Sequence, residues 1–456
     1  NEQLITIQVG QCGNQIGTRF WELALQEHAA YNKARIYDDA LSSFFKNIDV
    51  RGSDPVHLKV GTPIAQLKAR AVVVDMEEGV INSMLRSDLG EIFDSQTFIR
   101  DVSGAGNNWA HGHFEYGSIY GEEITEKIRW AVEECDSLQS FFMLHSMGGG
   151  TGSGLGTYIL RLLEDNYSDI FRFSTVVLPE DDVVTGPYNS LLALHQLKEH
   201  SDCCIPIENQ SLIEIVAKIN KAKKSKTDIA DSKSEKAKAF DNMNSIIAHM
   251  LNNLTCSMRF EGNLNVDLNE ITMNLVPYPR MPFLCSSVSP LYSVLDVKME
   301  PRRLDQIFSD VISKDFQLMQ IDPKRNGTYL ACGLILRGDA RISDLNRNVN
   351  RIRPELRMAH WNQEGFKIGL CSQPPVGFPY SLLCLANNSA IKEPLNVLKQ
   401  QFLRLYKRKA HTHHYTEYMP MSQFDDALNA LETLVDDYTA VEQAQPQPVP
   451  RISPLI

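Results

Sequence analysis

The sequence predicts an α/β fold with a parallel sheet in its N-terminal half. An apolar run at 141–144 is typical of a buried parallel strand, and apolar residues follow it at helical spacing at 155–163. The stretch between them is rich in glycine, which stabilises neither a strand nor a helix. The start of the chain repeats this order, since the strand-like stretch 4–9 leads through a glycine turn into a helical pattern.

Composition limits the class of protein. The 456 residues include 43% hydrophobic and 22% charged residues, which is enough for a large core and for two or three domains. We expect a soluble intracellular protein without a membrane partner, because no segment resembles a signal peptide or a bilayer span. The nine cysteines are odd in number and scattered, so they indicate neither a disulfide framework nor a zinc ribbon. The net charge of −11 argues against nucleic acid as a partner.

The glycine turn at 148–154 predicts an anion site, and the expected anion is a polyphosphate. Glycines let backbone N–H groups close on a ligand, and the following helix directs the positive end of its dipole to the same point. Thr151 and Ser153 add hydroxyls that suit a phosphate oxygen, a magnesium-bound water or the helix N-cap. A flexible linker is disfavoured because both flanks are strongly apolar. The phosphate loop of the Walker nucleotidases is not matched, since no Lys follows the glycines.

Two further stretches belong at the same edge of the predicted sheet. Gln11, Cys12 and Gln15 follow the first strand, where side chains face a ligand that approaches the carboxyl end of an open α/β sheet. The stretch 68–75 is predicted to be the next strand, and it delivers acidic residues, among them Glu77, to its end. Carboxylates beside a triphosphate indicate a bound Mg²⁺, and a solvated acidic turn is the alternative.

Three stretches outside these motifs have simpler interpretations. Residues 31–63 lack periodicity and are expected to form a long surface loop. A long helix is predicted at about 240–258. The tail at 443–456 is rich in Pro and Gln and is expected to be disordered.

The two glycine turns resemble the nucleotide loops of the tubulin superfamily. Residues 149–154 (GGTGSG) are similar to its phosphate loop almost letter for letter, and residues 10–17 (GQCGNQIG) are similar to its first nucleotide loop. The stretches 274–280 (NLVPYPR) and 365–375 (GFKIGLCSQPP) are also tubulin-like, so the resemblance covers nearly the whole chain. It implies a Rossmann-like GTPase domain with a parallel sheet, a central helix, a second α/β domain with a mixed sheet and a C-terminal helical hairpin.

The resemblance also implies that GTP or GDP binds in the N-terminal domain together with Mg²⁺. Asn209 and Asn244 would bind the guanine edge, because an amide offers both a donor and an acceptor, and Phe240 would stack on the base. Without the resemblance, Phe240 would be interpreted as a core residue and Asn244 as a helix cap. Glu77 would approach the metal through water. The implied nucleotide-binding residues are Gly10, Gln11, Cys12, Gln15, Asn107, Ser146, Gly149, Gly150, Thr151, Gly152, Asn209, Phe240 and Asn244.

Three features depart from alpha- and beta-tubulins. Gly104 stands where those chains carry an acidic residue, and Gly186 stands where they carry the Glu that holds the ribose. Asp181 or Asp182 is the candidate substitute for that Glu. The lysine-rich stretch at about 221–238 is expected to be a mobile or helical surface insert, either a solvated loop or a basic arm for an acidic partner.

Glu270 is the candidate catalytic residue. The stretch 261–270 resembles the tubulin loop that touches the nucleotide of the next subunit along a filament, and Glu270 occupies the catalytic position of alpha chains. Hydrolysis would then be completed in trans, with this carboxylate positioning the water that attacks a neighbour's γ-phosphate. The alternative is that Glu270 complements the dipole of the helix that it begins. Whether the chain hydrolyses GTP stays open at this point.

Together these features predict a divergent paralogue rather than a lattice subunit, because Glu270 is alpha-like and Cys12 is beta-like. The predicted regions are a guanine-nucleotide-binding domain at 1–208, the central helix with an intermediate α/β domain at 209–388, and C-terminal helices with a tail at 389–456.

The resemblance implies a cytoplasmic, cytoskeletal protein of the centrosome, the centriole or the basal body. Its role would be the assembly or maintenance of doublet and triplet microtubules. Its partners would be other tubulins, through longitudinal contacts, and centriolar proteins. The alternatives are an ordinary filament-forming GTPase subunit of a microtubule lattice and a GTP-binding adaptor that does not hydrolyse.

Overall fold

The computed structural model describes residues 2–180, 183–223, 232–262, 264–291 and 301–447, and of residues 222–223 and 232–240 it describes only the backbone. The strands are β1 (Gln3–Val9), β2 (Phe45–Asp49), β3 (Val56–Leu58), β4 (Gln66–Ala69), β5 (Ala71–Asp75), β6 (Phe98–Arg100), β7 (Leu138–Ser146), β8 (Phe171–Leu178), β9 (Cys203–Glu208), β10 (Cys285–Ser289), β11 (Tyr329–Gly338), β12 (Phe366–Cys371) and β13 (Tyr380–Asn388).

The helices fall between these strands, and two π-helical turns, His111–Tyr116 and Thr151–Leu155, lead into the fourth and the fifth of them. They are α1 (Gly10–Tyr31), α2 (Asp39–Ser42), α3 (Glu78–Arg86), α4 (Gly117–Glu133), α5 (Gly156–Asn166), α6 (Gly186–His200), α7 (Asn209–Lys223), α8 (Ser232–Leu254), α9 (Cys256–Arg259), α10 (Leu268–Leu275), α11 (Leu304–Asp310), α12 (Ile342–Ile352), α13 (Lys392–Tyr406), α14 (His413–Thr416) and α15 (Ser422–Gln443).

A six-stranded parallel sheet organises the N-terminal half, in the order β6-β5-β1-β7-β8-β9. Strand β7 shows why its sequence is continuously apolar. Phe141 and Met143 pack into the core on one face of the sheet, while Phe142 and Leu144 pack into the core on the other face. Because all six strands are parallel, their carboxyl ends lie at one edge of the sheet, which we call the carboxyl edge.

The second sheet is mixed, with the order β10-β13-β11-β12. Strand β13 is antiparallel to β10 and β11, whereas β11 and β12 are parallel. Helix α8 joins the two sheets, because its apolar side chains share one core with residues of both. The last two long helices form an antiparallel hairpin, in which Lys399 of α13 pairs with Glu432 of α15 at 2.8 Å. The predicted fold class is therefore confirmed.

Two predictions about the segment before β5 are wrong. Residues 31–63 are not a surface loop, because they contain α2, β2 and β3, and the strands form a small sheet in the order β3-β2-β4. Phe44 and Phe45 are fully buried there, but strands this short give no readable period. The single strand predicted at 68–75 is two strands of different sheets. The chain turns at Arg70, whose buried guanidinium donates to Ser42 O and Glu134 O at 3.0 Å.

The central helix also differs from its predicted bounds. It begins at Ser232 and ends at Leu254, and a separate short helix, α9, follows it. Within the lysine-rich insert the backbone at 232–238 belongs to α8, and residues 224–231 lie outside the described part of the chain. Of the tail predicted to be disordered, residues 448–456 also lie outside it. Among the described residues, no helix combines the length and hydrophobicity needed to span a membrane.

Candidate functional site

The two glycine loops meet at the carboxyl edge. Gly10 follows β1 with φ +75°, and a Cβ atom placed there would lie 3.1 Å from the backbone nitrogen of Gly152. Only glycine satisfies both conditions, since it adopts positive φ without strain and leaves room for the second loop. Asn14 fixes the first loop, because its Nδ2 donates to Gly10 O at 2.9 Å and to Val74 O at 3.1 Å. The neighbouring strands β1 and β7 thus bring both predicted loops into direct contact.

The loop after β7 is folded tightly on itself. Ser146 Oγ accepts a hydrogen bond from the N–H of Gly149 at 3.4 Å, and Ser153 Oγ donates to Gly149 O. A Cβ atom at Gly150 would lie 2.7 Å from the backbone nitrogen of Asn108, so the loop also packs against the segment after β6. Thr151 then begins the π-helical turn that leads into α5. The arrangement presents a helix start at the carboxyl edge, which is a ready site for phosphate.

Asn189 holds two of the loops together, and nothing in the sequence singles it out. Its Nδ2 donates to Asn107 O at 2.7 Å and to Gly148 O at 2.9 Å, and its Oδ1 accepts from the N–H of Trp109 at 2.9 Å. Asn107, the candidate phosphate contact, has φ +53° and an exposed side chain. The Asn189 side chain therefore fixes the backbone beside that contact.

The acidic residues after β5 fit a magnesium ion held mainly by phosphate and water. Asp75 is buried, and its Oδ2 has no hydrogen-bond partner among the described residues. Burial raises the pKa of Asp75 to about 6. Glu77 is exposed next to it, and its N–H donates to Asp75 Oδ1 at 3.3 Å. In the described chain no group of three His, Cys, Asp or Glu side chains could hold a metal by itself. Mg²⁺ does not need such a cage, because it keeps several waters and binds one or two carboxylates.

Position 104, beside the acidic residues, carries a glycine and therefore no side chain. It has φ +59°, and a Cβ atom there would lie 3.1 Å from Oε1 of Glu77. The Glu77 carboxylate therefore occupies the space that a side chain at 104 would need. The negative charge next to position 104 is therefore that of Glu77, and not that of a side chain at position 104 itself.

The candidate residues for the base lie in the first turns of α1 and α7 and in the middle of α8. Gln11 and Gln15 are exposed on one face of α1, and Arg19, one turn further on, donates from Nε to Ser245 Oγ of α8 at 2.9 Å. That contact places the middle of α8, with Asn244, alongside this face. Asn209 is the first residue of α7, directly after β9. The side chain of Phe240 lies outside the described part of the structure.

The positions of two other candidate residues, Cys12 and Gly186, support a nucleotide contact less directly. Burial raises the pKa of the Cys12 thiol to about 12, so this thiol stays neutral at pH 7. The side chain packs against the hydrophobic core on one face of the parallel sheet. Gly186 begins α6, and a Cβ atom there would lie 3.9 Å from Pro179 and Val183, so this position has room for a side chain. Asp181 and Asp182, the candidate substitutes for the ribose contact, lie outside the described residues.

Glu270 lies far from this cluster. It is in the first turn of α10, whose N-cap is Asp267, and its carboxylate accepts from Lys367 Nζ at 2.7 Å. The preceding residue, Asn269, receives a hydrogen bond from Ser140 at the amino end of β7. Six residues of strand separate Ser140 from the last residue of β7, a span of about 20 Å. Glu270 therefore cannot reach a nucleotide held at the carboxyl edge of its own chain.

Comparison with known proteins gives a consistent assignment. The family model described as Tubulin/FtsZ family, GTPase domain, matches residues 3–217, and the model described as Tubulin C-terminal domain matches residues 279–400. The chain is 52% identical to the tubulin epsilon chains of Mus musculus, over 99% of this chain and 98% of that protein, and of Homo sapiens, over 99% of both. It is 31% identical to the human tubulin beta-1 chain, over 97% of this chain and 95% of that protein.

These matches confirm the resemblance inferred from the glycine loops, and they favour the epsilon chains over the beta chain. A tubulin GTPase domain implies that the chain binds a guanine nucleotide, and membership in the tubulin family implies contacts with other tubulins. Two family models that together span most of the sequence, and relatives of this identity along its whole length, establish that the chain belongs to the tubulin family.

Proposed function

We propose that this chain is a guanine-nucleotide-binding tubulin paralogue that acts in the assembly or maintenance of the doublet and triplet microtubules of centrioles and basal bodies. It binds GTP or GDP at the carboxyl edge, where Glu77, beside Asp75, would hold Mg²⁺ through water and the metal would offset the charge of the phosphates. Its partners are other tubulins and centriolar proteins, and it acts in the cytoplasm at the centrosome or the basal body. The contact between Gly10 and Gly152, which joins the two nucleotide loops, carries the nucleotide-binding part of the proposal.

The separation between the nucleotide loops and Glu270 supports longitudinal contacts. The loops lie at one edge of the sheet and Glu270 lies near the other, so two chains stacked head to tail bring the carboxylate of one to the nucleotide of the next. Such a heterologous contact generates filaments or caps them. The surface beside Glu270 suits burial, because Met273 is 73% exposed and Tyr278 and Trp361 form an exposed edge-to-face pair.

In the active form of the proposal, Glu270 holds the attacking water by accepting its proton or a hydrogen bond. Mg²⁺, when bound, neutralises charge on the phosphates. The ion pair with Lys367 is half-exposed, and pairs of this kind contribute at most about 1 kcal/mol. A neighbour's phosphates can therefore attract Lys367 and release Glu270 for the water.

The same ion pair favours the alternative, a nucleotide-binding adaptor that does not hydrolyse. In this form Glu270 stays with Lys367 and only stabilises the docking face, and the helix cap is supplied by Asp267, whose side chain accepts from the Glu270 N–H at 2.6 Å. The glycines at 104 and 186, which replace acidic residues of the common tubulins, agree with a nucleotide site that no longer supports turnover.

Single-turnover hydrolysis separates these two forms. We expect Glu270→Gln to slow GTP hydrolysis in mixtures with a partner tubulin by about 10²- to 10⁴-fold, and to leave the affinity of this chain for GTP unchanged. The control is Glu364→Gln, which removes an exposed charge near Lys367 and should leave the rate intact. An unchanged rate for Glu270→Gln in every mixture would exclude the catalytic role and leave the adaptor.

The cellular part of the proposal has a separate test. A tagged chain should be found at centrioles or basal bodies, and cells depleted of it should lose doublet or triplet microtubules when these are counted in cross-sections by electron microscopy. Normal triplets after complete depletion would contradict this role.

A further inference from the structure

The side chain of Asn189 connects the nucleotide loops with the C-terminal region of the chain. Besides the loop contacts at Asn107, Gly148 and Trp109, its Oδ1 accepts a hydrogen bond from the hydroxyl of Tyr415 at 2.5 Å. An amide side chain has two donor hydrogens and two acceptor lone pairs, and Asn189 uses all four. The residue is fully buried, so none of these bonds can be replaced by bulk water.

The segment that contains Tyr415 lies between the last two long helices and ends with the short helix α14. We call this segment, residues 407–416, the C-terminal loop. It is fixed at two further points, because Tyr188 donates from its hydroxyl to Ala410 O at 2.7 Å and Asn108 Nδ2 donates to His414 O at 2.8 Å. Its other side chains are mostly exposed and basic, namely Lys407, Arg408, Lys409, His411, His413 and His414. No ion pair of the described residues involves Lys407, Arg408 or Lys409.

We propose that Asn189 is a positioning residue for the bound phosphates and that Tyr415 transmits its constraint to the C-terminal loop, so that nucleotide occupancy and the conformation of this basic surface are linked. The inference rests on the proposed nucleotide binding. Its first part follows from the carbonyls of Asn107 and Gly148, which belong to two different phosphate-contacting segments and are held by one amide. Its second part follows from Oδ1 of the same amide, which receives the Tyr415 hydroxyl.

Linkage of this kind is reciprocal. If nucleotide orders the segments at 107 and 148, it also fixes Asn189, and a fixed Asn189 holds the Tyr415 hydroxyl more firmly. When the Tyr415 hydroxyl is removed, the Asn189 amide loses one of its four hydrogen bonds. It then holds the segments at 107 and 148 less firmly, and the nucleotide should leave faster. The inference therefore predicts two measurable effects, one on nucleotide release and one on the C-terminal loop.

The first measurement is the rate of GTP release from the full-length chain, followed with a fluorescent GTP analogue in the presence of Mg²⁺. Tyr415→Phe removes one hydrogen bond and keeps the ring, so release should become about fivefold faster. Asn189→Asp should accelerate release much more, because a carboxylate cannot donate to the carbonyls of Asn107 and Gly148. Tyr188→Phe is the matched control, because it also loses one hydroxyl bond to the C-terminal loop, but that bond is to Ala410 O and not to the Asn189 side chain. Its release rate should equal that of the wild type.

The second measurement is hydrogen exchange of peptides from the C-terminal loop, with and without GTP. In the wild type and in Tyr188→Phe, GTP should slow the exchange of these peptides, and in Tyr415→Phe this difference should disappear. The two Phe variants should melt within a few degrees of each other, so a purely structural role of either hydroxyl cannot produce the contrast.

Three results would overturn the inference. They are equal release rates in wild type and Tyr415→Phe, equal changes in Tyr415→Phe and Tyr188→Phe, and a nucleotide effect on loop exchange that persists in Tyr415→Phe. Failure of the proposed function looks different, because the wild-type chain would then not bind GTP in the first measurement, and both proposals would fall together.

Discussion

Replacement of Glu27 by Gln tests whether the first domain is held to the rest of the chain by a buried ion network. Glu27 lies on α1 and is 4% exposed, and it pairs with Arg259 of α9 at 2.8 Å and with Arg337 of β11 at 3.0 Å. Both guanidinium groups are fully buried. The network therefore joins the N-terminal domain, the short helix after the central helix and the second sheet. Glu27→Gln keeps the size of the side chain but leaves two buried cations without a counter-charge.

The structure gives the size of the effect. Burial alone would raise the pKa of Glu27, but the charges of Arg337 and Arg259 outweigh it and lower the pKa from 4.5 to about 2. A carboxyl group with this difference between the unfolded and the folded state contributes about 3 kcal/mol at neutral pH. Removing one partner of a buried ion pair typically costs about 3 to 5 kcal/mol, which agrees. For a chain of this length, 3 kcal/mol corresponds to a lower melting temperature by about 3 °C.

The sign of the pH dependence follows from the lowered pKa. A carboxyl group whose pKa is depressed by folding contributes its stability above the unfolded pKa of 4.5 and loses it as the pH falls through the folded value of about 2. The difference in stability between the wild type and Glu27→Gln should therefore be constant from pH 7 to pH 5. It should shrink as the pH falls further.

The assay is thermal and urea unfolding of both chains at pH 7 and pH 3, followed by circular dichroism. Glu22→Gln is the control on the same helix, because Glu22 is half-exposed and, among the described residues, forms an ion pair only with Arg19, so it should cost less than about 1 kcal/mol. A loss of less than 1 kcal/mol for Glu27→Gln at pH 7, or a loss that does not change between pH 7 and pH 3, would refute the reasoning.

Three further predictions concern the nucleotide site. If Asn209 and Asn244 bind the guanine edge, ATP should displace bound GTP about 100-fold less well than GTP does, since their buried amides would be left unpaired; equal displacement would exclude guanine specificity. Gly186→Glu should leave the melting temperature unchanged, because the position has room, and should slow GTP release about fivefold through one new hydrogen bond; an unchanged rate would show that 186 does not face the ribose. Gly104→Ala should destabilise the chain by about 1 to 2 kcal/mol, because φ is positive there, and should displace Glu77, which a changed Mg²⁺ dependence of GTP binding would report.

The sequence predicted the parts of the fold in which local pattern and tertiary role agree. The parallel strand at 141–144 is apolar on both faces because both faces are buried, and its glycine loop follows directly in the chain. The small sheet at 45–69 was missed because its strands are three to five residues long and their buried and exposed residues do not alternate, so they carry no period of two. Arg70 looks like a strand residue in the sequence, and only its buried contacts show that the chain changes sheets there.

The residues of the candidate site were also predicted only in part from the sequence. Gly10, Gly152 and the residues near them were found because a glycine-rich loop is a local signal. Asn189 was not found, because its four partners come from three distant segments and a single polar residue in a helix has no characteristic pattern. The ion pair between Glu270 and Lys367 is of the same kind, since 97 residues separate the two and only the fold of the second domain brings them together.

Because the two edges of the sheet are far apart, residues at one edge can change without affecting the other edge. Changes at Gly104 and Gly186 alter the site in which this chain holds its own nucleotide, whereas Glu270 and Met273 belong to the face that would meet a neighbour's nucleotide, about 20 Å of strand away. A substitution at one edge therefore changes no contact at the other. A paralogue can retain its nucleotide as a structural ligand with little turnover and still supply the carboxylate that completes the site of the tubulin below it. For this reason hydrolysis by the isolated chain and hydrolysis stimulated in a partner are separate quantities, and the proposed catalytic role of Glu270 predicts that only the second depends on this residue.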